Sequence, residues 1–167
     1  EPSEPLPAHR FSRAASSTTP APLLRPPRYC NKNDIMIDMN DTIFTKIIKG
    51  EMPCYKLYED DKTIAFLDID PARYGHSLVV SKTQIDQYID LPDDDYEALW
   101  RTVKKVATRL RSVLAKQRVG ILVHGTDVPH VHVQLIPFDK DENTHRDESS
   151  PKLDESEFVE LANKLRF

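Results

Sequence analysis

The pattern of hydrophobic and polar positions changes near residue 40. Seven of the 13 prolines lie within residues 1–27, where apolar residues follow no regular spacing. From Ile43 onward, apolar residues recur at the intervals of helices and strands. We therefore predict one globular domain that starts at about residue 40 and an N-terminal extension over residues 1–39.

Helical periodicity is clearest after the acidic stretch "PDDD", because negative charges favour a helix N-terminus. One apolar stripe then runs through Tyr96, Leu99, Trp100, Val103, Val106, Ala107, Leu110, Val113 and Leu114. This spacing predicts one long amphipathic helix. Two short helices are predicted at "DTIFTKIIKGE", which Gly50 ends, and at the C-terminal "SEFVELANKLRF".

Five short runs rich in apolar residues predict strands. They are residues 55–59, residues 63–67, "GHSLVVSK", "VGILVHG" and "VPHVHVQLIP" at residues 128–137. Neighbouring strands are joined by short turns, which favours antiparallel pairing. The predicted fold is therefore α+β, a mainly antiparallel sheet with one long and two short helices.

Composition excludes several classes of function. The net charge of -4 argues against general nucleic-acid binding, which needs an excess of Lys and Arg. No apolar run approaches the ~18 residues of a membrane span, so we expect no membrane partner. Cys30 and Cys54 form no metal motif, and we expect no disulfide between them; such cysteine usage suits the cytoplasm.

The extension over residues 1–39 gives a mixed signal. Between Glu4 and Asp34 it has no acidic residue but carries four arginines among Ser and Thr, as organelle transit peptides do. The alternative is a disordered or non-native extension, with the domain's natural start at Met36 or Met39. We favour the second interpretation and keep organelle targeting open.

Candidate chemistry is concentrated in the stretch "VPHVHVQLIP". Side chains alternate between the two faces of a strand, so His130, His132 and Gln134 share one face and apolar residues share the other. Burying three polar side chains together costs several kcal/mol unless each has a partner. The polar face is therefore predicted to line a cleft or to belong to a satisfied hydrogen-bond network.

Three interpretations of this face compete. The imidazoles could be structural, with backbone groups as partners. They could bind a metal, but Gln134 is a poor ligand, and His76 and His124 stand at no compact spacing from the pair. They could act in catalysis, with an imidazole attacking a phosphorus while polar neighbours hold the phosphate oxygens.

The flanking sequence adds a family resemblance. "PHVHVQLIP" resembles the histidine triad (HIT) signature, and "DTIFTKIIKGEMPCYKLYEDDKTIAFLDIDPARYGHSLVVSK" is similar to the N-terminal half of that family. The resemblance defines a HIT-like domain over residues 40–138. Residues 139–167 remain as a charged connector, expected to be mobile, and a C-terminal helix.

The resemblance implies a role for each site residue. His132 matches the nucleophile that attacks a nucleotide α-phosphate and forms a nucleotidyl-histidine intermediate. His130 matches the residue that supports it, and His76 matches a histidine that enters the phosphate site. Asp68 matches the acid that binds the ribose hydroxyls, and Ile69 contacts the nucleoside; a carboxylate and an apolar neighbour suit these two tasks.

The implied protein is a nucleotide hydrolase or nucleotidyltransferase that needs no cofactor or metal. Its substrates would be nucleoside phosphoramidates, acyl-adenylates or dinucleoside polyphosphates, with a purine nucleotide as the bound part. Family members are homodimers with a shared sheet, so a homodimer is expected here as well. A catalytically weak purine-nucleotide-binding module and an unrelated metalloprotein are the alternatives.

Three departures from the family pattern stand out. Gln134 replaces the third histidine; glutamine donates a hydrogen bond but no proton near neutral pH, and in the family it marks transferase and phosphorylase branches. Thr42 and Thr45 stand where many bacterial relatives have zinc-binding cysteines, so that zinc is expected to be absent. His124 stands in a shortened loop, either as the missing proton donor or as an ordinary exposed histidine.

Overall fold

Helices and strands follow one another in the order that the hydrophobic pattern predicts. A computed structural model of the protein describes residues 41–167, and the predicted extension over residues 1–39 lies outside them. The elements of this part are α1 (Ile43–Ile48), β1 (Lys56–Glu59), β2 (Thr63–Leu67), β3 (Ser77–Ser81), α2 (Asp93–Leu114), β4 (Arg118–Leu122), β5 (His132–Phe138) and α3 (Glu155–Leu165). The predicted α+β fold with one long and two short helices is confirmed.

The five described strands form one sheet in the order β1-β2-β3-β5-β4. Every neighbouring pair is antiparallel. Strand β5 lies between β3 and β4, with His132 opposite Val80 and Gln134 opposite Leu78 and Leu122. The strand that carries the candidate chemistry is therefore held on both sides, which fixes the direction of its side chains.

Strand β5 begins later than predicted, at His132 rather than near residue 128. The backbone N–H of Val131 donates to the carbonyl of Ile85, and that of His130 donates to the carbonyl of Val128. These groups are thus engaged outside the strand ladder. His130 consequently precedes the regular strand, although it shares a side of the sheet with His132.

One face of the sheet is covered by α2 and α3. The buried core on this face comprises Leu57, Ala65, Leu67, Val79, Leu91, Leu99, Val103, Val106, Leu110, Val131, Val133, Leu135, Phe158, Leu161, Ala162 and Leu165. The last four of these come from α3. The C-terminal helix therefore completes the core of the same domain. Within residues 41–167 no helix combines the length and the apolarity of a membrane span.

The opposite face carries a smaller apolar cluster under α1. Phe44 of α1 packs there against Ile64, Phe66, Leu78 and Val80. Helix α1 has only six residues, so it covers only part of this face. The histidines of β5 lie beside this cluster, because His132 is paired with Val80 in the neighbouring strand.

The connector between β5 and α3 was expected to be mobile, but it is tied to the domain. The guanidinium of Arg73 is buried and donates to the carboxylate of Asp147, at 3.1 and 3.4 Å, and to the side-chain oxygen of Asn143. Lys116 forms ion pairs with Asp139 and Glu142 at 2.7 and 2.8 Å. The connector thus follows the domain surface through defined polar contacts.

Candidate active site

The imidazole of His132 is oriented by one hydrogen bond. Its Nδ1–H donates to the backbone carbonyl of His130 at 2.8 Å. A carbonyl only accepts hydrogen bonds, so Nδ1 carries the proton and Nε2 of the neutral ring keeps its lone pair. The ring of Phe44 packs edge-on against this imidazole, with centroids 5.0 Å apart. His132 therefore presents a nucleophilic nitrogen in a fixed direction.

His130 is completely buried, and both of its ring nitrogens have partners. Nε2–H donates to the carbonyl of Ser81 at 2.7 Å, and Nδ1 accepts from the hydroxyl of Thr42 at 2.9 Å. Burial lowers the pKa of His130, and repulsion from His132 lowers it further, against the opposing effect of the Ser81 carbonyl. His130 is thus held as a neutral ring whose own carbonyl orients the nucleophile.

Thr42 connects this network to the start of α1. Its hydroxyl oxygen accepts from the backbone N–H of Thr45, as the N-cap of the helix, while it donates to His130. The hydroxyl of Thr45 donates in turn to the side-chain oxygen of Gln84. Thr42 and Thr45 therefore form a hydrogen-bond network around His130. Within the described residues, His, Cys, Asp and Glu form no cluster of three that could hold a metal ion.

His76 lies just before β3 and is 4 % exposed. Its Nδ1 accepts from the backbone N–H of Ala72 at 3.2 Å, so Nε2 carries the proton of the neutral ring. That Nε2 is buried without a hydrogen-bond partner in the described part of the chain. Burial lowers the pKa of His76, while the Asp68 carboxylate and the nearby Gln134 amide act in the opposite direction. His76 is therefore an unused N–H donor beside Gln134.

Asp68 follows β2 on the same side of the sheet. Its backbone N–H donates to the carbonyl of His76 at 3.0 Å, and one carboxylate oxygen lies 3.5 Å from His76 Nδ1. The other oxygen accepts from the backbone N–H of Asp70 at 2.9 Å. Burial raises the pKa of Asp68, against the attraction of His76, His132 and Arg146. The next side chain, Ile69, is 72 % exposed and apolar.

The remaining two predicted residues differ in position. Gln134 is half-buried in β5, next to His76. His124 is exposed and, together with His132, lines a cavity of about 320 Å³. Asp68 and His76 do not line that cavity. The fold thus brings His76, Asp68 and Gln134 together at one end of the histidine face, and His124 approaches His132 from the β4–β5 loop.

Chemically, the site combines three groups of different character. His132 offers a lone pair, His76 offers an N–H that no described residue accepts, and Asp68 offers hydrogen-bond acceptors. A lone pair attacks an electrophilic centre, an N–H binds an anionic oxygen, and a carboxylate binds hydroxyls. Both His76 and Asp68 lie close enough to His132 for its charge to influence their pKa values.

Sequence reasoning did not find three residues that build the site. Thr42 was considered only as a missing zinc ligand, yet it holds His130. Phe44 was only part of a predicted short helix, yet it packs against both imidazoles. Arg73 was not noted, although a buried arginine ties down the turn between Asp68 and His76. A hydroxyl residue just before an apolar helix was the one available signal, because it predicts a cap.

Comparisons with known proteins agree with this geometry. The family model described as HIT domain matches residues 49–141. A HIT-like protein of Borreliella burgdorferi is 33 % identical over 135 residues, which are 76 % of this chain and 97 % of that protein. The adenosine 5'-monophosphoramidase of Schizosaccharomyces pombe is 37 % identical over 102 residues, 60 % of this chain and 76 % of that protein.

A solved structure extends the likeness to the fold. The crystal structure of a HIT-like protein from Bartonella henselae superposes with a TM-score of 0.66 at 26 % identity. The superposition covers 77 % of this chain and 96 % of that one. The family model covers more than half of this chain. The chain belongs to the HIT domain family.

Proposed function

We propose that the protein is a nucleotide-binding enzyme in which His132 attacks the α-phosphate of a nucleotide conjugate. The substrate class is a nucleoside phosphoramidate, an acyl-adenylate or a dinucleoside polyphosphate. The nucleotide would pass through a covalent nucleotidyl-histidine and then to water or another acceptor. A purine nucleotide is proposed as the bound part, and the phosphoramidase among the relatives supports this substrate class.

One observation carries the proposal. The hydrogen bond from His132 Nδ1–H to the carbonyl of His130 leaves Nε2 with its lone pair. A merely structural histidine would use both nitrogens, as His130 does. The unpartnered N–H of His76 adds a donor suited to a phosphate oxygen.

The reaction would proceed in two displacements at phosphorus. In the first, the lone pair of His132 Nε2 forms a P–N bond, and the bond from phosphorus to the leaving group breaks with its electron pair. The leaving group then takes up a proton. In the second, the oxygen of water or of another acceptor forms a P–O bond, and the P–N bond breaks to restore the lone pair. The acceptor loses its proton to solvent.

Three side chains have supporting roles in this proposal. His76 Nε2–H would bind a phosphate oxygen in both displacements, because burial keeps its ring neutral and its N–H available. Asp68 would accept from the ribose hydroxyls, and the exposed Ile69 would contact the nucleoside. Gln134 would bind phosphate without supplying a proton, which favours a longer-lived intermediate.

Mass spectrometry tests this proposal directly. The protein is mixed with an adenosine phosphoramidate and quenched, and an adenylyl adduct is expected on His132. The variant His132→Ala should form no adduct while retaining most of its AMP affinity. An enzyme that turns over at the same rate without His132 would contradict the proposal.

The variant Gln134→His sharpens the assignment of the glutamine. A histidine at this position adds a group that titrates near neutral pH, so the adduct should hydrolyse faster. Single-turnover decay of the trapped adduct measures this rate. An unchanged lifetime would remove Gln134 from the second displacement.

The alternative, a purine-nucleotide-binding module with little activity, rests on the same glutamine. It predicts tight binding of nucleoside monophosphates and no turnover on a panel of phosphoramidates, acyl-adenylates and dinucleoside polyphosphates. Titration calorimetry with AMP and the turnover assay together separate it from the enzyme.

A homodimer is also proposed, joined through β4. This strand is at the edge of the described sheet and pairs with β5 alone. Its residues Ile121 and Leu122 are 52 % and 41 % exposed. An unpaired strand edge with apolar side chains favours pairing with a second copy. Light scattering of the wild type and of Leu122→Lys tests it, with a monomer expected for the variant.

A further inference from the structure

The connector between β5 and α3 approaches the nucleoside end of the site. Three of its side chains, those of Asn143, Arg146 and Asp147, contact the turn after β2, while Thr144 between them lies beside Gly120 of β4. Arg73 holds Asp147 and Asn143, and Arg146 forms an ion pair with Asp70. The turn is the segment that begins with Asp68 and Ile69. The stretch 143–147 of the connector therefore lies against the part of the chain proposed to bind ribose and base.

We call the contacts of Arg73 with Asp147 and Asn143 the clasp, and its central guanidinium is buried. The guanidinium is 7 % exposed and also donates to the carbonyl of Ala72 at 2.6 Å. Arg73 holds the pKa of Asp147 far below its ordinary value, aided by Ser149 and Asn143. Asp147 therefore stays ionised at any physiological pH, and its removal would leave the buried Arg73 cation without its carboxylate partner. The connector is consequently held in one place on the turn.

The clasp sets Arg146 at the edge of the nucleoside site. Its side chain is 60 % exposed, pairs with Asp70 and lies close enough to Asp68 to influence that carboxylate. Arg146 also borders an open cavity of about 550 Å³, lined otherwise by connector residues. The exposed apolar side chain of Ile69 stands between Asp68 and Asp70. A cation and an apolar side chain thus flank the place next to the ribose acid.

We infer that the connector forms the second wall of the nucleoside site and that Arg146 is its contact to the bound base. This inference rests on the proposed nucleotide function. The planar guanidinium stacks on the face of a heteroaromatic ring, and Ile69 packs against the same base from the turn. Arg73 and Asp147 are positioning residues, because they act through the place that they give to Arg146. Most of this wall lies beyond residue 141, outside the family match.

Two variants and two matched controls test the inference in the full chain. Arg146→Ala removes the contact, and Asp147→Asn weakens the clasp without changing its shape. Lys140→Ala and Asp141→Asn remove the same charges from exposed connector positions. Titration calorimetry gives Kd for AMP, and steady-state kinetics give KM and kcat for adenosine phosphoramidate and for methyl phosphoramidate, which lacks the nucleoside.

The expected result is a selective loss of nucleoside affinity. Arg146→Ala should raise Kd for AMP and KM for adenosine phosphoramidate by about threefold to thirtyfold, with a smaller change in kcat. Asp147→Asn should change both in the same direction, while neither variant changes the kinetics on methyl phosphoramidate. The two controls should stay within about twofold of the wild type. A melting curve for each variant shows that it is folded.

The other possible results overturn the inference or limit the role of its residues. A Kd for AMP that is unchanged in Arg146→Ala overturns the inference. If only Asp147→Asn loses affinity for AMP, the contact between Arg73 and Asp147 stabilises the structure but does not act through Arg146. Equal losses on both phosphoramidates also overturn it, since they locate the effect at the phosphate. If the wild type binds AMP but turns nothing over, the proposed chemistry fails and the calorimetry alone decides about Arg146. A wild type that does not bind AMP overturns both proposals.

Discussion

The two faces of the sheet use the same strands for different purposes. On the face under α2 and α3, side chains such as Val79, Val133 and Leu135 are 0 % exposed and apolar. On the other face, the six residues of α1 cover one apolar cluster, and histidines occupy the neighbouring positions. Two helices cover one face, whereas on the other face α1 covers only the apolar cluster beside the imidazoles.

The polar groups of the two faces differ in the same way. On the closed face, the hydroxyls of Thr63 and Thr102 bond each other at 2.8 Å, so their needs are met internally. On the histidine face, Nε2 of His76 finds no partner within residues 41–167. An unsatisfied buried donor costs about 1–3 kcal/mol, which a ligand repays when it accepts that hydrogen bond. The contrast is not complete, because Nε1 of Trp100, which packs on the closed face, is also buried without a partner among the described residues.

The largest expected effect is on the histidine face and concerns activity alone. His132→Ala removes the proposed nucleophile, and kcat/KM on an adenosine phosphoramidate should fall by about 10⁴-fold or more. The free energy of unfolding should change by only about 1 kcal/mol, because the ring makes one hydrogen bond and an edge contact with Phe44. Turnover assays and urea unfolding of the same sample measure both. A variant that loses stability in proportion to activity would break the distinction between the faces.

The converse change lies on the closed face. Leu110 is 0 % exposed in the core between α2 and the sheet, so Leu110→Ala should lower the free energy of unfolding by about 2–5 kcal/mol. Activity per folded molecule should stay close to that of the wild type. Urea unfolding gives the first quantity, and kcat at a temperature well below Tm gives the second. A large fall in kcat with intact folding would show that the closed face contributes directly to the site.

An intermediate effect is expected at Thr42, because its hydroxyl both stabilises the buried His130 and helps to orient His132 through it. Thr42→Val leaves Nδ1 of the buried His130 without its donor, which should cost about 1–3 kcal/mol of stability. It should also lower kcat, because the His130 carbonyl that orients His132 is then held less firmly. Thr42→Ser keeps the hydroxyl and should restore both quantities. If serine and valine behave alike, the methyl group rather than the hydrogen bond matters.

Sequence patterns predicted the elements well because each depends on local periodicity. The stripe of α2 and the alternation in β5 identify their buried faces without any knowledge of neighbours. Strand β5 was predicted to begin about four residues too early. The backbone N–H of Val131 donates instead to the carbonyl of Ile85, a residue 46 positions earlier in the chain. The ends of an element depend on such distant partners, which periodicity does not contain.

The candidate site likewise has features that local periodicity predicts and contacts between distant residues that it does not predict. That His130 and His132 share a face followed from the period of a strand. The bond from Thr42 to His130 joins residues 88 positions apart, and that from Arg73 to Asp147 joins residues 74 apart. Such contacts depend on how the elements pack, so only the structure revealed them. The catalytic and binding roles assigned to the site residues stay predictions until the variants are measured.

The smallest expected effect concerns pH, and it distinguishes the faces through stability alone. Burial lowers the pKa of His76 and His130 in the folded protein below the ordinary value of 6.5. Between the two values the unfolded chain binds protons that the folded protein does not, so stability should fall as pH drops below about 6.5. Each histidine contributes at most about 1.4 kcal/mol per pH unit.

Thermal unfolding between about pH 7.5 and pH 5.5 measures this slope. Asp68, whose pKa burial raises above 3.8, works in the opposite direction, since its folded form holds a proton that the unfolded chain has lost. His76→Gln should therefore flatten the slope by removing one histidine, whereas Leu110→Ala should lower Tm at every pH and leave the slope unchanged. Equal slopes in all three proteins would exclude His76 as a source of the pH dependence. A slope that changes in Leu110→Ala would mean that proton linkage and apolar packing do not separate along the two faces of the sheet.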